Sequence, residues 1–252
     1  MLRGQGVSLV SAAVSLLAVA GCAAKNSPAA PRAVEDGPVR VLFIGNSLTA
    51  GNDLPQLVQA MAVAGGVPME IDSATTGGFS LEDHWSGGDA RKKLAKSRWT
   101  LVVLQQGPSS LPDSQKNLRE WACTWAAEVR QRGATPALYM VWPFEGQANG
   151  FALVSKSYRA AAKAADMRVL AAGEAWQEAL RRDPKAGLYV EDKLHPTPAG
   201  TYLAALVVAH GLAGVDVGSV PSALKLSSGG EFKLPGKQAE ELRKAADSAL
   251  AK

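Results

Sequence analysis

Between positions 39 and 212 the chain alternates short, almost continuous apolar runs with longer stretches whose apolar residues recur every three to four positions. The short runs cover 39–44, 68–73, 99–104, 136–142 and 168–172, and each reads as a strand. The longer ones cover 54–64, 114–132, 153–165, 174–181 and 201–212 and read as helices. Val39-Arg40-Val41-Leu42-Phe43-Ile44 and Leu101-Val102-Val103-Leu104 carry apolar residues on both strand faces, as strands covered on both sides must. Strand and helix in alternation predict a five-stranded parallel sheet with right-handed crossovers, an α/β chain with helices on both faces. A last helix is expected over 237–251, with Leu242, Ala245 and Leu250 free to pack on the body.

The first positions follow a different rule. Arg3 precedes an uncharged stretch from Gly4 to Gly21 rich in Val, Leu, Ala and Ser, the layout of a secretory signal. It ends in Val19-Ala20-Gly21-Cys22, which resembles the lipobox of bacterial lipoproteins, where cleavage before the cysteine accompanies lipidation of its sulfur. On that reading 1–21 is removed, Cys22 is the membrane anchor, 22–38 is a tether of Ala, Pro, Ser, Asn and charge, and 39–252 is the working domain. The expected location is the bacterial cell envelope. Ala23 after the cysteine, rather than Asp, points to the outer membrane in a cell that has two.

Composition narrows the chemistry. In 252 residues, 47% are hydrophobic, enough to fill a packed core. Lys and Arg number 27 against 23 Asp and Glu, with no run of five or more like charges, so a nucleic-acid partner is not expected. Two cysteines, Cys22 and Cys123, can build neither a disulfide framework nor a cysteine zinc site, and no metal or organic cofactor is implied. Cys123 reads as a small buried hydrophobe.

In an open parallel sheet, ligands bind beyond the carboxyl ends of the strands, so the strand ends are where chemistry is sought. They read Gly45-Asn46-Ser47-Leu48-Thr49, Thr75-Thr76-Gly77-Gly78-Phe79-Ser80 and Gln105-Gln106-Gly107-Pro108-Ser109-Ser110, all small and polar. A serine leaving a buried strand can present its hydroxyl beside backbone N–H groups, although Ser47 alone also fits a turn or cap. Far downstream stands Asp192-Lys193-Leu194-His195-Pro196, where a carboxylate three positions before a histidine can fold back onto one ring nitrogen and leave the other to take a serine proton. Of the other two histidines, His210 lies within a helical pattern and reads as structural. His84 follows the second loop and reads as a substrate contact or a structural residue.

Together these blocks resemble the SGNH, or GDSL, hydrolases over about 39–212. Gly45-Asn46-Ser47-Leu48-Thr49 looks like the family's first block, with Asn46 where many members have Asp, Gly78-Phe79-Ser80 like its second, and Asp192 to His195 like its last. The resemblance implies a three-layer α/β/α flavodoxin-like domain with Ser47 as nucleophile, His195 as general base and Asp192 as orienting carboxylate. It also implies an oxyanion hole built from the Ser47 and Gly78 amides. The third block departs from the usual G-x-N-D, offering Gln106-Gly107-Pro108-Ser109, which is similar to the Q-G-E-S form of carbohydrate acetylesterase relatives and hands the side-chain donor role to Gln106. Gln105 and Ser109 are the fallback donors.

The implied activity is hydrolysis of an O-acyl ester, acetyl among the options, on a small molecule or a carbohydrate. Two other classes share the same features: an O-acyltransferase using the same three residues, and a lipid-anchored envelope protein that binds a ligand without chemistry. Trp85, Trp142 and Phe144 sit near predicted strand ends, where an aromatic ring can stack on a sugar or simply pack in the core. Trp85 and Trp142 are taken with His84 as candidate substrate-binding residues.

Overall fold

The structure is a computed structural model that describes residues 37–252 together with Met1. The leader, Cys22 and all but the end of the tether lie outside the described residues. The five predicted strands are present as β1 (Val39–Gly45), β2 (Met69–Thr75), β3 (Leu101–Leu104), β4 (Thr135–Tyr139) and β5 (Arg168–Leu170). They form one sheet in the order β2-β1-β3-β4-β5, every neighbouring pair parallel. The chain runs outward from β1 to β2 and then returns to the other side of β1 for β3. That reversal makes the carboxyl ends of β1 and β3 the switch point of the sheet.

The chain continues from β1 into α1 (Ser47–Ala50) and then, after a short 3-10 turn, α2 (Leu54–Ala64). Two helices join β2 to β3, α3 (Leu81–Ser86) and α4 (Ala90–Lys96). These were not foreseen, although Ser80-Leu81-Glu82-Asp83 spells a capping box: Ser80 Oγ accepts from Asp83 N at 3.2 Å, and Asp83 Oδ2 accepts from Ser80 N at 2.8 Å. α5 (Pro112–Gln131) leads to β4, α6 (Gly150–Ala165) to β5, and α7 (Ala172–Arg182) and α8 (Pro198–Ala213) follow. A small antiparallel hairpin, β6 (Ala223–Lys225) and β7 (Glu231–Lys233), precedes α9 (Gly236–Leu250).

Layering follows from crossover handedness. α5 and α6 pack together on one face, and α2 and α8 on the other, giving three layers. α5 buries Leu118, Ala122, Trp125, Ala126 and Val129, a stripe with the spacing of one helix face. α8 is apolar all round because it is covered twice, by the sheet side and by α7 and α9, where Leu242 and Ala245 dock as expected. The central strands are buried throughout, Val41 to Ile44 and Leu101 to Leu104. The sequence carried the fourth and fifth strands too far, to 142 and 172. Instead β5 ends at Leu170, whose carbonyl takes Met140 N–H at 3.0 Å, and Ala172 already opens α7. Among the described residues no helix is long and apolar enough to cross a membrane.

Candidate active site

At the end of β1, Gly45 leaves no room for a side chain, since a Cβ there would overlap Gln105 Oε1 and Thr49 Oγ1. Gln105 fills the space beneath the turn. Its Oε1 accepts from Asn46 N at 2.8 Å and Thr49 Oγ1 at 2.7 Å, and its Nε2 donates to Asn46 Oδ1 at 3.0 Å and to the Gln106 carbonyl at 2.6 Å. Asn46 then caps α1 by accepting Leu48 N–H at 3.1 Å, while its own Nδ2 donates to the Phe79 carbonyl at 3.1 Å. The turn that presents Ser47 is thus fastened to the loops after β2 and β3.

The partner of Ser47 arrives from the segment before α8. Asp192 Oδ1 accepts the main-chain N–H groups of Leu194 (2.9 Å) and His195 (2.8 Å), and Oδ2 lies 2.6 Å from His195 Nδ1. A carboxylate only accepts, so Nδ1 carries the proton. Nε2 is left bare and accepts from the Ser47 hydroxyl at 2.8 Å. Residues 148 positions apart are thereby brought into one relay. The main-chain donors of His195 and Leu194, followed by the imidazole itself, hold the Asp192 carboxyl well below its usual range, at about 2. Lys193 sits between them with φ of 63°, a left-handed conformation that closes the tight turn. His195 and Asp192 remain 38% and 51% exposed, so water has access to the relay.

Four contacts fix this segment from outside. Tyr189 forms an antiparallel bridge with Pro196, Glu145 N donates to the Lys193 carbonyl at 2.8 Å, Trp142 Nε1 donates to the Leu194 carbonyl at 2.9 Å, and Asn52 Nδ2 donates to the Pro196 carbonyl at 3.0 Å. None of these was read from the sequence, because three of them reach across about 50 residues or more and the bridge pairs main-chain groups, which leave no residue pattern.

The Ser47 and Gly78 N–H groups have no hydrogen-bond acceptor among the described residues, and Gly78 adopts φ of 76° in an open loop. Of the three side chains considered as a further donor, Gln105 has both amide hydrogens engaged, and Ser109 spends its hydroxyl proton on the Gly107 carbonyl at 3.0 Å. Gln106 accepts Leu81 N–H at 3.0 Å and donates one Nε2 hydrogen to Ser109 Oγ at 3.1 Å, leaving the other without an acceptor. Tyr158 backs this loop with its hydroxyl against the Gln106 and Gly107 carbonyls, and its burial holds that phenol protonated.

Three expectations are corrected. Trp142 is not a substrate-binding residue: it is fully buried and stacked on Trp176, ring centroids 3.5 Å apart and planes within 6°. Trp85 packs against Trp125 and Trp121 under the Arg91 guanidinium, lining a separate surface cavity with Arg91, Lys92 and Arg132. His84 is buried with Nε2 2.7 Å from the Gly45 carbonyl, out of reach of a substrate. Phe144 keeps 47% of its surface exposed, one residue from the Glu145 contact to the Asp192–His195 turn. His210 is structural, as expected, bonding the Val215 carbonyl beyond the end of α8. Cys123 is half-buried and unpaired among the described residues.

Solved structures share this architecture. A candidate SGNH hydrolase from Slackia heliotrinireducens superposes with a TM-score of 0.60 at 24% identity, over 69% of this chain and 98% of its own. The fold is that of the SGNH hydrolases. A DUF4886 family protein from Bacteroides uniformis gives a TM-score of 0.68 at 20% identity over 85% of this chain and 95% of its own. An acetyl xylan esterase from Geobacillus stearothermophilus gives 0.52 at 15% identity over 70% and 94%. No protein-family model matches the sequence, and neither does any curated protein.

Proposed function

We propose that the protein is a serine esterase that hydrolyses O-acyl esters, acetyl esters of carbohydrates foremost, through an acyl-enzyme on Ser47. The observation that carries this reading is the continuous hydrogen-bonded relay from Asp192 through His195 to Ser47 at the switch point of the sheet. Ser47 Oγ attacks the acyl carbon while its proton passes to His195 Nε2. Asp192 keeps Nδ1 protonated and stabilises the imidazolium that forms. The negative charge developing on the carbonyl oxygen is met by the Ser47 and Gly78 amides and the spare Gln106 hydrogen. Collapse of the adduct expels the alcohol with the proton from Nε2, and water, activated by the same nitrogen, then releases the acid and restores Ser47.

The half-exposed imidazole favours water as the second acceptor over a bound alcohol, and so hydrolysis over acyl transfer. The carbohydrate assignment is supported by the fold shared with acetyl xylan esterases and by the exposed Phe144 ring, a surface on which a sugar face can stack. We further propose that 39–252 is the catalytic domain, held to the cell envelope by lipid on Cys22 through the 22–38 tether. Replacing Cys22 by Ser then moves the protein from the membrane to the soluble fraction, and unchanged fractionation removes the anchor.

The deciding experiment is hydrolysis of a p-nitrophenyl ester series from acetate to palmitate, and of acetylated oligosaccharides, by the full chain and by Ser47→Ala. Turnover that falls with acyl length and drops by about 10⁴ to 10⁶ in the variant is the expected result. No turnover by the wild type, or equal turnover by both proteins, overturns the reading. Adding sugar acceptors tests transfer: acylated sugar formed in preference to free acid would make the protein an acyltransferase.

A further inference from the structure

His84 is the one buried imidazole of the chain, 1% exposed, and the relay does not use it. It lies on α3, whose start is fixed by the Ser80 and Asp83 capping box, and its Nε2 stands 2.7 Å from the carbonyl oxygen of Gly45, two residues before Ser47. A carbonyl oxygen only accepts, so Nε2 carries the hydrogen. Nδ1 has no partner, which fits a neutral ring with a bare lone pair there, since a buried N–H or a cation without an acceptor costs far more. Burial lowers the readiness of this ring to take a second proton, against the opposing pull of the Gly45 bond and the Asp83 charge. Gly88 passes so close to Nδ1 that a side chain there would crowd it, and Phe79 meets the ring edge-on with centroids 5.1 Å apart.

The short run from Gly78 to His84 therefore ties together the loops after β1 and β3. Phe79 gives its carbonyl to Asn46, Leu81 gives its N–H to Gln106, and His84 takes the Gly45 carbonyl. The two backbone groups assigned to the oxyanion lie on different loops, Ser47 after β1 and Gly78 after β2. Their separation depends on what ties those loops together. Gly45 O also accepts Thr76 N–H, at 3.2 Å, so the His84 bond converges on the same atom where the sheet ladder ends.

We propose that His84 is a positioning residue for catalysis: through its N–H to Gly45 O it sets the Ser47 turn against the Gly78 loop, so that both amides face one oxyanion. This inference rests on the esterase reading and sharpens it. A group acting this way matters when charge develops in the transition state and little when substrate binds.

The test uses the full chain with p-nitrophenyl acetate, rates being expressed per site titrated with an organophosphonate that labels Ser47. His84→Phe keeps a ring of similar size without the donor, and His84→Gln restores an N–H at similar reach. The expected result is a fall in kcat of about 10²-fold in His84→Phe at nearly constant KM, most of it recovered in His84→Gln. Wild-type kcat per titrated site in His84→Phe, or an equal loss in both variants, overturns the inference and leaves the esterase standing. A wild type inert toward every ester overturns both.

Discussion

Asn52 donates its Nδ2 hydrogens to the Pro196 carbonyl at 3.0 Å and to Thr201 Oγ1 at 2.8 Å, clamping the segment after Ser47 to the segment after His195. It does so from a left-handed conformation, φ 50°, where α1 breaks before α2 begins. Replacement by glycine keeps that backbone and removes only the amide. We expect Asn52→Gly to lower kcat by about 10- to 100-fold with little change in KM, because His195 loses its alignment with Ser47. Steady-state kinetics beside a melting curve check this. An unchanged kcat would show that the bridge and the contacts around Trp142 hold the segment without it.

Trp142 carries the same segment from the other side. Trp142→Phe leaves the Leu194 carbonyl without its donor and loosens the stack on Trp176, so stability should drop by about 1–3 kcal/mol. Urea unfolding measures it, and KM should hold. A raised KM at wild-type stability would return Trp142 to the substrate pocket.

The two glutamines after β3 should part company in kinetics. Gln106→Ala removes the side chain with a hydrogen to spare and should lower kcat by about 10²–10³-fold at constant KM. Gln105→Ala strips acceptors from Asn46 N and Thr49 Oγ1 and should be felt first as lost stability, about 1–3 kcal/mol for each buried group left unpaired. Rate and unfolding measurements on both variants separate the roles. If Gln106→Ala turns over like the wild type, the side-chain donor lies elsewhere.

Acidity provides a further check. The Asp192 carboxyl, held at about 2 against an ordinary value of 3.8, stays charged through the whole range in which esterases are assayed. A folded-state value below the unfolded one stabilises the fold above the ordinary value, and this contribution is lost as pH falls from there through about 2. Any acidic limb of a kcat/KM profile above that range should therefore not arise from Asp192. In Asp192→Asn that limb should persist with a lower plateau, since the base is still present but poorly oriented, and its disappearance would assign it to the carboxylate.

The sequence by itself determined the strands, the order of the three blocks and the local Asp192 to His195 turn. Each depends on neighbours in the chain: a run buried on both faces must be apolar, and a carboxylate three positions before a histidine can close a turn by taking the N–H groups of Leu194 and His195. Tertiary structure decided which aromatics are free and which amide keeps a hydrogen to spare. Trp85, Trp142 and Phe144 look alike as letters near strand ends, yet one packs on Trp125, one lies under Trp176 and one stands exposed. The difference lies in which helices cover them. Gln105 and Gln106 likewise differ through the partners that Gly45, Asn46, Thr49, Leu81 and Ser109 bring from elsewhere in the chain. The clamps of Asn52 on Pro196 and His84 on Gly45 left no periodic trace, because a single polar side chain bonding a distant carbonyl imposes no pattern on its neighbours. The Ser80 capping box did leave one, being local.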